Sequence, residues 1–272
     1  MNTDTNEAIR RIYEPISKNI MGLQEVMRQF IDSFEGLSVS EVYQYFFERQ
    51  GKFLRPALFF LAAGIITNES IDEDDQEAYQ LALVLELLHT ASLIHDDVLD
   101  GDEERRGQQV LNKKYGNSIA ILAGDTLFSK AYSIVSSKFD KVYVCKISDL
   151  SYAMCLAEVE QAMGISNKKK YLDVIKGKTA IFTKTCCELG AMYVGGTDED
   201  VEKLGQIGLD LGIAYQLYDD YKDKDSNMIG YGSINDVAFY IKRVKGTLET
   251  FKSSPYSISM LQLLELIESR LQ

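Results

Sequence analysis

The chain has 272 residues, of which 46% are hydrophobic and 26% charged, enough for a protein with a sizeable core. Its 29 Lys and Arg against 41 Asp and Glu give a net charge of −12, which argues against nucleic-acid binding because phosphate contacts need a basic surface. The amino terminus is polar, unlike a signal or transit peptide. The best candidate for a membrane span, Leu81 to Ile94, is interrupted by Glu86 and His89. We therefore expect a cytoplasmic protein with no transmembrane segment.

Apolar residues recur at spacings of three and four along almost the whole chain, which predicts α-helices throughout. Only three prolines occur, and long helices tolerate so few breakers. No linker or low-complexity tract divides the sequence. We therefore expect an all-α fold in which residues 1–272 form a single-domain bundle of about ten helices around a central cavity. The predicted helices span residues 5–34, 38–49, 56–67, 74–100, 117–138, 141–164, 168–191, 197–224, 233–252 and 256–271.

The motif Asp-Asp-x-x-Asp occurs twice, each time at the end of a long apolar helix pattern. Clustered carboxylates repel one another, and a hard divalent cation between them relieves that repulsion. Mg²⁺ prefers a few carboxylates together with substrate phosphates. A single copy is more typical of a solvated helix end, but two copies favour two acidic walls that face one diphosphate. The predicted metal ligands are Asp96, Asp97, Asp100, Asp219, Asp220 and Asp223.

Helical geometry predicts which side chains accompany each acidic motif, because positions three, four and seven apart share a face. The first polar stripe contains His89, Ser92, Asp96 and Asp100, with Asp97 turned to one side. In the second motif, Gln216 shares a stripe with two of the three aspartates. Both stripes are thus predicted to present polar groups on otherwise apolar helices.

Several basic residues stand where they could bind phosphate groups. Lys52 and Arg55 precede a predicted helix start, where amide groups and the helix dipole favour anions. Arg105 and Arg106 follow the first acidic motif in a loop, and Lys178 lies within an apolar helix pattern. Any one of these residues alone is more typical of surface charge. Together they could bind two diphosphates, one through metal and the other through Lys and Arg directly.

The ordered set of motifs resembles the trans-isoprenyl diphosphate synthases of the polyprenyl synthetase family. The resemblance runs from about residue 45 to residue 223. It consists of Gly51-Lys52-x-x-Arg55-Pro56, His89, Asp96-Asp97-x-x-Asp100, Arg105-Arg106-Gly107, Gly116-Asn117, Ala123-Gly124-Asp125, Glu158-x-x-Gln161, Lys178-Thr179 and Tyr215-Gln216-x-x-Asp219-Asp220-x-x-Asp223.

This resemblance implies an isoprenoid synthase-like fold and a role for each motif residue. Asp96, Asp100 and Asp219 would ligate Mg²⁺ on the allylic diphosphate, and Asp97, Asp220 and Asp223 would act through water. The allylic diphosphate would also be held by Arg105, Lys178 and Gln216, and isopentenyl diphosphate by Lys52, Arg55, His89 and Arg106. Lys178, Thr179 and Gln216 would border the developing allylic cation. For His89 the alternative is a hydrogen-bonded core histidine.

The implied reaction is a head-to-tail trans condensation of isopentenyl diphosphate with an allylic diphosphate. Metal and fixed cations would neutralise the leaving diphosphate, and a dry site would protect the cation from water. The released diphosphate would take the proton, so no carboxylate base is needed. The resemblance also implies a homodimer, with a small regulatory subunit as the alternative partner.

Product length is predicted from the residues one turn before the first acidic motif. Ala91 and Ser92 are small, where short-chain relatives carry aromatic plugs. An open channel would give a product longer than farnesyl or geranylgeranyl diphosphate. Phe128 and Tyr132 on the next helix are candidates for its floor. The alternative for Ala91 and Ser92 is close helix packing.

The chain departs from the family pattern after Asp223, where a lysine-containing loop and one or two helices are expected. Residues 224–233 instead form a short segment that leads to a late family helix. This shortening favours one alternative, a non-catalytic or partner-dependent subunit. A class I terpene cyclase is the second alternative, although cyclases usually replace the second Asp-rich motif. Squalene-synthase-like coupling would not explain residues 51–56.

Overall fold

The computed structural model describes residues 3–49, 51–223 and 231–269, but only the backbone of residues 3–6 and 223. Almost all of these residues are helical, which confirms the predicted all-α fold. No described helix is long and apolar enough to cross a membrane. The helices are α1 Thr3–Ile12, α2 Ser17–Asp32, α3 Ser40–Phe47, α4 Leu54–Thr67, α5 Gln76–Asp100, α6 Leu111–Tyr115, α7 Asn117–Lys138, α8 Lys141–Ala162, α9 Lys168–Ile175, α10 Ile181–Tyr193, α11 Asp198–Asp223, α12 Ile234–Leu248 and α13 Pro255–Glu268.

Two predicted helices are interrupted. The predicted helix over residues 5–34 breaks at Pro15, where a 3₁₀ turn, Glu14–Ile16, separates α1 from α2. Proline lacks an amide donor and restricts the residue before it, so a continuous helix is unfavourable there. The predicted helix over residues 168–191 contains a π-helical turn, Lys176–Ala180, between α9 and α10. Single π turns inside helices are often found at functional sites.

The segment between α5 and α6 forms a two-stranded hairpin instead of an irregular loop. Strand β1 is Glu104–Arg105 and β2 is Gln108–Gln109, and they pair antiparallel. The two turn residues, Arg106 and Gly107, have φ values of 56° and 73°. A tight hairpin turn of this kind needs positive φ at both central positions, which glycine adopts easily and arginine does not.

The chain divides into two compact units. The second unit comprises residues 19–56 and 73–144. Its centre is α5, which packs against α7, and at Gly124 of α7 an added Cβ would collide with the imidazole of His95. The side chain of Asp75 caps the start of α5, and Gly101 ends the helix with a φ of 71°. These caps set the first acidic motif in the last turn of α5.

The first unit comprises residues 1–18, 57–72 and 145–272. Its main contact joins α10 to α11, where Gly208 and Gly212 of α11 lie directly against the backbone or side chains of α10 and the π turn. This close approach brings the π turn beside the last turns of α11, which carry the second acidic motif. The single domain with a central cavity stays a prediction.

Candidate active site

The three carboxylates of the first acidic motif lie in different environments within the second unit. Asp97 is only 2% exposed, Asp96 is half-buried and Asp100 is exposed. Asp97 Oδ1 accepts a 2.6 Å hydrogen bond from Arg105 Nε, and its carbonyl oxygen accepts from Asn112. Burial raises the pKa of Asp97, and Arg105 opposes that shift. The ion pair therefore anchors the hairpin to the end of α5.

This pairing gives Asp97 and Arg105 contacts that the motif pattern did not predict. Arg105 also approaches Asp102, with 3.4 Å between Nη2 and Oδ2. A guanidinium group has five N–H donors, so Arg105 retains donors for a further anion while it holds Asp97. The predicted roles of Asp97 at the metal and of Arg105 at the allylic diphosphate stay predictions.

Arg55 and His89, both predicted to bind isopentenyl diphosphate, are in direct contact. Arg55 Nη1 lies 2.9 Å from His89 Nε2. Because a guanidinium can only donate, Nε2 accepts and the ring proton lies on Nδ1. Burial, and then the charges of Arg55, Arg106 and Arg105, hold the pKa of His89 well below its usual value. His89 is therefore a neutral acceptor that orients Arg55.

Arg106 reaches the segment before α4 from the turn of the hairpin. Its Nη1 donates to the carbonyl oxygen of Arg49 at 3.0 Å. An added Cβ at Gly51 would lie 2.7 Å from Arg106 Nη2, so only glycine permits this approach. Phe53, two residues later, has a φ of 53°. Such strain in bulky residues is typical of functional sites.

The position of Lys52 and Arg55 differs slightly from the prediction. Helix α4 begins at Leu54, so Arg55 lies in its first turn and the exposed Lys52 precedes it. The structure thus brings together Arg55, His89 and Arg106 in the second unit. Arg105, the partner of Asp97, lies on the same hairpin as Arg106.

The first unit contains a chain of hydrogen bonds around the second acidic motif. Thr179 Oγ1 donates to Gln216 Oε1 at 2.8 Å, and Gln216 Nε2 donates to Asp220 Oδ1 at 2.8 Å. The buried Tyr171 donates from its hydroxyl to Asp220 Oδ2 at 2.7 Å. Both oxygens of Asp220 thus accept bonds. The chain links the π turn to the acidic end of α11.

Lys178 lies in the same π turn, rather than in a regular helix as predicted. Its Nζ lies 2.8 Å from Glu158 Oε1 of α8. Gln161, one turn further along α8, has a buried Oε1 without a hydrogen-bond partner among the described residues. Glu158 and Gln161 belong to the motif set but had no predicted role.

The remaining members of the second motif are less fully described. Asp219 is half-buried. The side chain of Asp223 lies outside the described residues, and so do residues 224–230, which contain most of the predicted shortened segment. The assignment of Asp223 as a metal ligand therefore stays a prediction.

The predicted chain-length residues lie on α5 and α7. Ala91 is fully buried, and Ser92 is half-buried with its hydroxyl donating to the His89 carbonyl oxygen at 2.8 Å. The ring of Phe128 lies 5.7 Å from that of His95, and Tyr132 is half-buried one turn later. Phe128 thus lies beside the residue that precedes the first acidic motif.

The donor chemistry fits Mg²⁺. Mg²⁺ is usually bound by one or two carboxylates together with substrate phosphates and water. Within the described residues, no three His, Cys, Asp or Glu side chains are grouped so that they could hold a metal. The accessible carboxylates of Asp96 and Asp100, four residues apart on α5, are donors of the kind that such a shared site needs.

Comparisons with known proteins identify the family. A family model described as polyprenyl synthetase matches residues 37–238. The chain belongs to the polyprenyl synthetase family. Its fold agrees: a decaprenyl diphosphate synthase from Rhodobacter capsulatus superimposes with a TM-score of 0.84, at 21% identity, over 97% of this chain and 99% of that one.

Members of the polyprenyl synthetase family that resemble the chain in sequence differ in their named products. The geranylgeranyl diphosphate synthase of Methanosarcina mazei is 36% identical over 189 residues, 66% of this chain and 57% of that protein. The nonaprenyl diphosphate synthase of Mycobacterium tuberculosis is 34% identical over 193 residues, 69% of this chain and 56% of that protein. The matched part of the chain thus spans less than two thirds of these relatives.

Two further residues were not predicted from the sequence: Glu86 in the second unit and Tyr171 in the first unit. Glu86 stood out only as an interruption of an apolar run, although it is buried beside Arg106. Tyr171 gave no signal at all, because its partner Asp220 is 49 residues away in sequence. An acidic residue in an apolar helix one turn before His89 was the available signal for Glu86.

Proposed function

We propose that this protein is a Mg²⁺-dependent trans-prenyltransferase that condenses isopentenyl diphosphate with an allylic diphosphate. The observation that carries the proposal is the cluster of Arg55, Arg106 and neutral His89 in the unit that also contains the first acidic motif. Guanidinium groups bind phosphate oxygens in bidentate fashion, and the acidic motif supplies donors for a metal. Family membership supports the same reaction.

Under this proposal, Lys52, Arg55, His89 and Arg106 bind the diphosphate of isopentenyl diphosphate. Strain at Phe53 and Arg106 fixes the backbone that presents these groups, so little reorganisation is needed when the anion binds. His89 contributes by holding Arg55 in a single orientation. The anchored diphosphate would then hold the double bond of isopentenyl diphosphate in position to attack the allylic substrate.

Residues at both acidic motifs would act on the allylic diphosphate. Bound Mg²⁺ would supply positive charge to the departing diphosphate, with Asp96, Asp97, Asp100, Asp219, Asp220 and Asp223 as its inner or outer ligands. Lys178 and Arg105 would add fixed positive charge. The hydroxyl of Thr179 and the amide of Gln216 would point the oxygen ends of their dipoles towards the allylic cation. The released diphosphate would accept the proton that the condensation sets free.

We further propose a product longer than geranylgeranyl diphosphate. The small side chains of Ala91 and Ser92 on α5 support this, since neither could block a prenyl tail that passes them. Phe128 and Tyr132 on α7 would then limit the tail. The named relatives, which include both geranylgeranyl and nonaprenyl diphosphate synthases, are compatible with either length class.

We propose a homodimer as the assembly, because α8 exposes several large apolar side chains. Tyr152, Leu156 and Val159 are all exposed along this helix, and Met163 is exposed just after its end. A row of this kind usually marks an interface. The alternative is a heteromer with a small subunit. Sedimentation of the purified chain distinguishes them: a dimer with activity supports the homodimer, and activity only after a second chain is added supports the heteromer.

The metal assignment is tested with Asp96→Asn, which keeps the side-chain size and removes a charged donor. We expect prenyl transfer to fall by roughly a thousandfold, since removal of one strong electrostatic contact to a transition state costs that much. Asp32→Asn on exposed α2 is the control and should retain full activity. Normal turnover by Asp96→Asn, with unchanged Mg²⁺ dependence, would remove the assigned role.

A further inference from the structure

Glu86 is a buried carboxylate that the proposed mechanism does not use. It lies on α5, three residues before His89, and is only 6% exposed. Its Oε2 atom is buried and has no hydrogen-bond partner among the described residues. Buried carboxylate oxygens are nearly always hydrogen-bonded or paired with a charge, so this one requires an explanation.

The surroundings of Glu86 are positively charged. It lines a small pocket together with Arg49, Gly51, Phe53 and Arg106, and it is the one acidic residue among the described residues of that lining. Burial raises the pKa of Glu86 to about 7, and the charges of Arg55 and Arg106 oppose the shift. The charged groups that face it are therefore Arg55 from α4, Arg106 from the hairpin and Arg49 from the segment after α3, with neutral His89 on its own helix.

The two guanidinium groups are each held at one nitrogen by a neutral acceptor. Arg55 Nη1 donates to His89, and Arg106 Nη1 donates to the carbonyl oxygen of Arg49. Neutral acceptors fix direction but do not offset the repulsion between neighbouring guanidinium groups. A buried carboxylate nearby does offset that repulsion through its charge.

We propose that Glu86 is a positioning residue that holds Arg55 and Arg106 ready for the diphosphate of isopentenyl diphosphate. The inference rests on the proposed function, which assigns both arginines to that substrate. Glu86 acts through the arginines and does not contact the substrate. A buried charge lowers stability. Its presence beside a binding site is therefore expected where function requires it.

The test measures binding of isopentenyl diphosphate to the full chain by titration calorimetry at pH 8, without an allylic substrate. Glu86→Gln removes the charge and keeps the size. We expect its Kd for isopentenyl diphosphate to rise roughly tenfold, because the guanidinium groups lose the buried negative charge that offsets their repulsion. Glu86→Asp, which keeps a carboxylate, should lose less. Glu77→Gln on the exposed first turn of α5 is the matched control and should bind as the wild type does.

A pH series separates positioning from a structural role. As the pH falls below about 7, Glu86 of the wild type becomes neutral like glutamine. The ratio of the variant Kd to the wild-type Kd should therefore decline towards one, while titration of the substrate itself affects both proteins equally. In turnover, Glu86→Gln should raise the KM for isopentenyl diphosphate and leave the KM for the allylic substrate and the kcat nearly unchanged.

Equal or tighter binding by a folded Glu86→Gln variant would overturn the inference and leave the proposed function standing. A variant that loses thermal stability but keeps its Kd would also overturn it, because that is the behaviour of a purely structural residue. If the wild type itself neither binds isopentenyl diphosphate nor incorporates it, the inference and the proposed function both fail.

Discussion

Asp97 and Glu86, the two buried carboxylates on α5, differ in how their charge is compensated. Asp97 has a direct ion pair with Arg105 at 2.6 Å, whereas Glu86 has one oxygen without a hydrogen bond among the described residues. Burial raises the pKa of both, and for Glu86 the shift reaches about 7. Removal of the charge that pairs with Asp97 should therefore destabilise the folded protein, whereas removal of the charge of Glu86 itself should stabilise it.

Arg105→Gln should lower the free energy of unfolding by about 3 kcal/mol, because it leaves the buried Asp97 carboxylate without its partner. The double variant with Asp97→Asn should recover part of that loss. Chemical denaturation measures both. Arg28→Gln, which breaks an exposed ion pair with Glu25, is the control and should change stability little. A loss no larger than that of Arg28→Gln would contradict the account of the Asp97–Arg105 pair.

Glu86→Gln should stabilise the folded protein at pH 8. The pKa of Glu86 is raised from 4.5 to about 7 in the folded state, so the stability that the protonated form provides is full below pH 4.5 and is lost as the pH rises through 7. The loss is on the order of 3 kcal/mol. Thermal melts at pH 5 and pH 8 test this: the variant should gain on the wild type only at the higher pH, and an equal effect at both would contradict the buried-charge account.

At the scale of single residues, the sequence predicted those whose chemistry shows in a motif. The resemblance to the polyprenyl synthetase family grouped Arg55, His89 and Arg106, and the first two of them are in contact. It could not predict that Asp97 turns to Arg105, because burial at the end of α5 depends on how the hairpin folds back. Glu86 showed in the sequence only as an acidic interruption of an apolar run, and the burial of its carboxylate depends on how α5 packs.

At the scale of elements, hydrophobic periodicity predicted nearly every long helix, because α5, α7 and α11 bury residues along most of their length. It failed where backbone conformation departs from a simple repeat. The π turn at Lys176–Ala180 keeps helical spacing almost intact, so the pattern continues through it. The hairpin was missed because its turn carries arginine at a position where glycine or asparagine is the usual signal.

The packing of α10 against α11 is tested with two glycine-to-alanine changes. At Gly208, a new Cβ would collide with the Thr183 carbonyl oxygen, so Gly208→Ala should cost about 2 kcal/mol or more. At Gly246 of α12, an added Cβ meets nothing within 4 Å. Gly246→Ala should therefore stabilise the protein by about 0.5 to 1 kcal/mol, as alanine is the better helix former.

Denaturation curves of these two variants test whether α10 and α11 are in close contact. If Gly208→Ala were as stable as the wild type, the helices would not be in the close contact described. If both substitutions had the same effect, helix propensity rather than packing would control stability at these positions.

At the scale of the whole molecule, product length is the property that depends on many elements at once. Ser92→Phe places an aromatic ring one turn before Asp96, at a half-buried position that can accept it more readily than fully buried Ala91. We expect shorter products from this variant by chromatography of the dephosphorylated prenols. Ser92→Ala is the control. An unchanged length distribution in Ser92→Phe would contradict the proposed channel along α5.

The family of the whole chain was predicted from the order of its motifs, and the match over residues 37–238 confirms it. The reaction of the complete protein stays a proposal, since the matched region spans only 57% of the Methanosarcina mazei relative.

The most direct measurement incubates the purified chain with Mg²⁺, labelled isopentenyl diphosphate and a series of allylic diphosphates, and determines the length of the labelled products. The account predicts incorporation that requires both the metal and an allylic starter, with products longer than geranylgeranyl diphosphate. Absence of incorporation with every starter, or a cyclic hydrocarbon formed from a single allylic substrate, would contradict it.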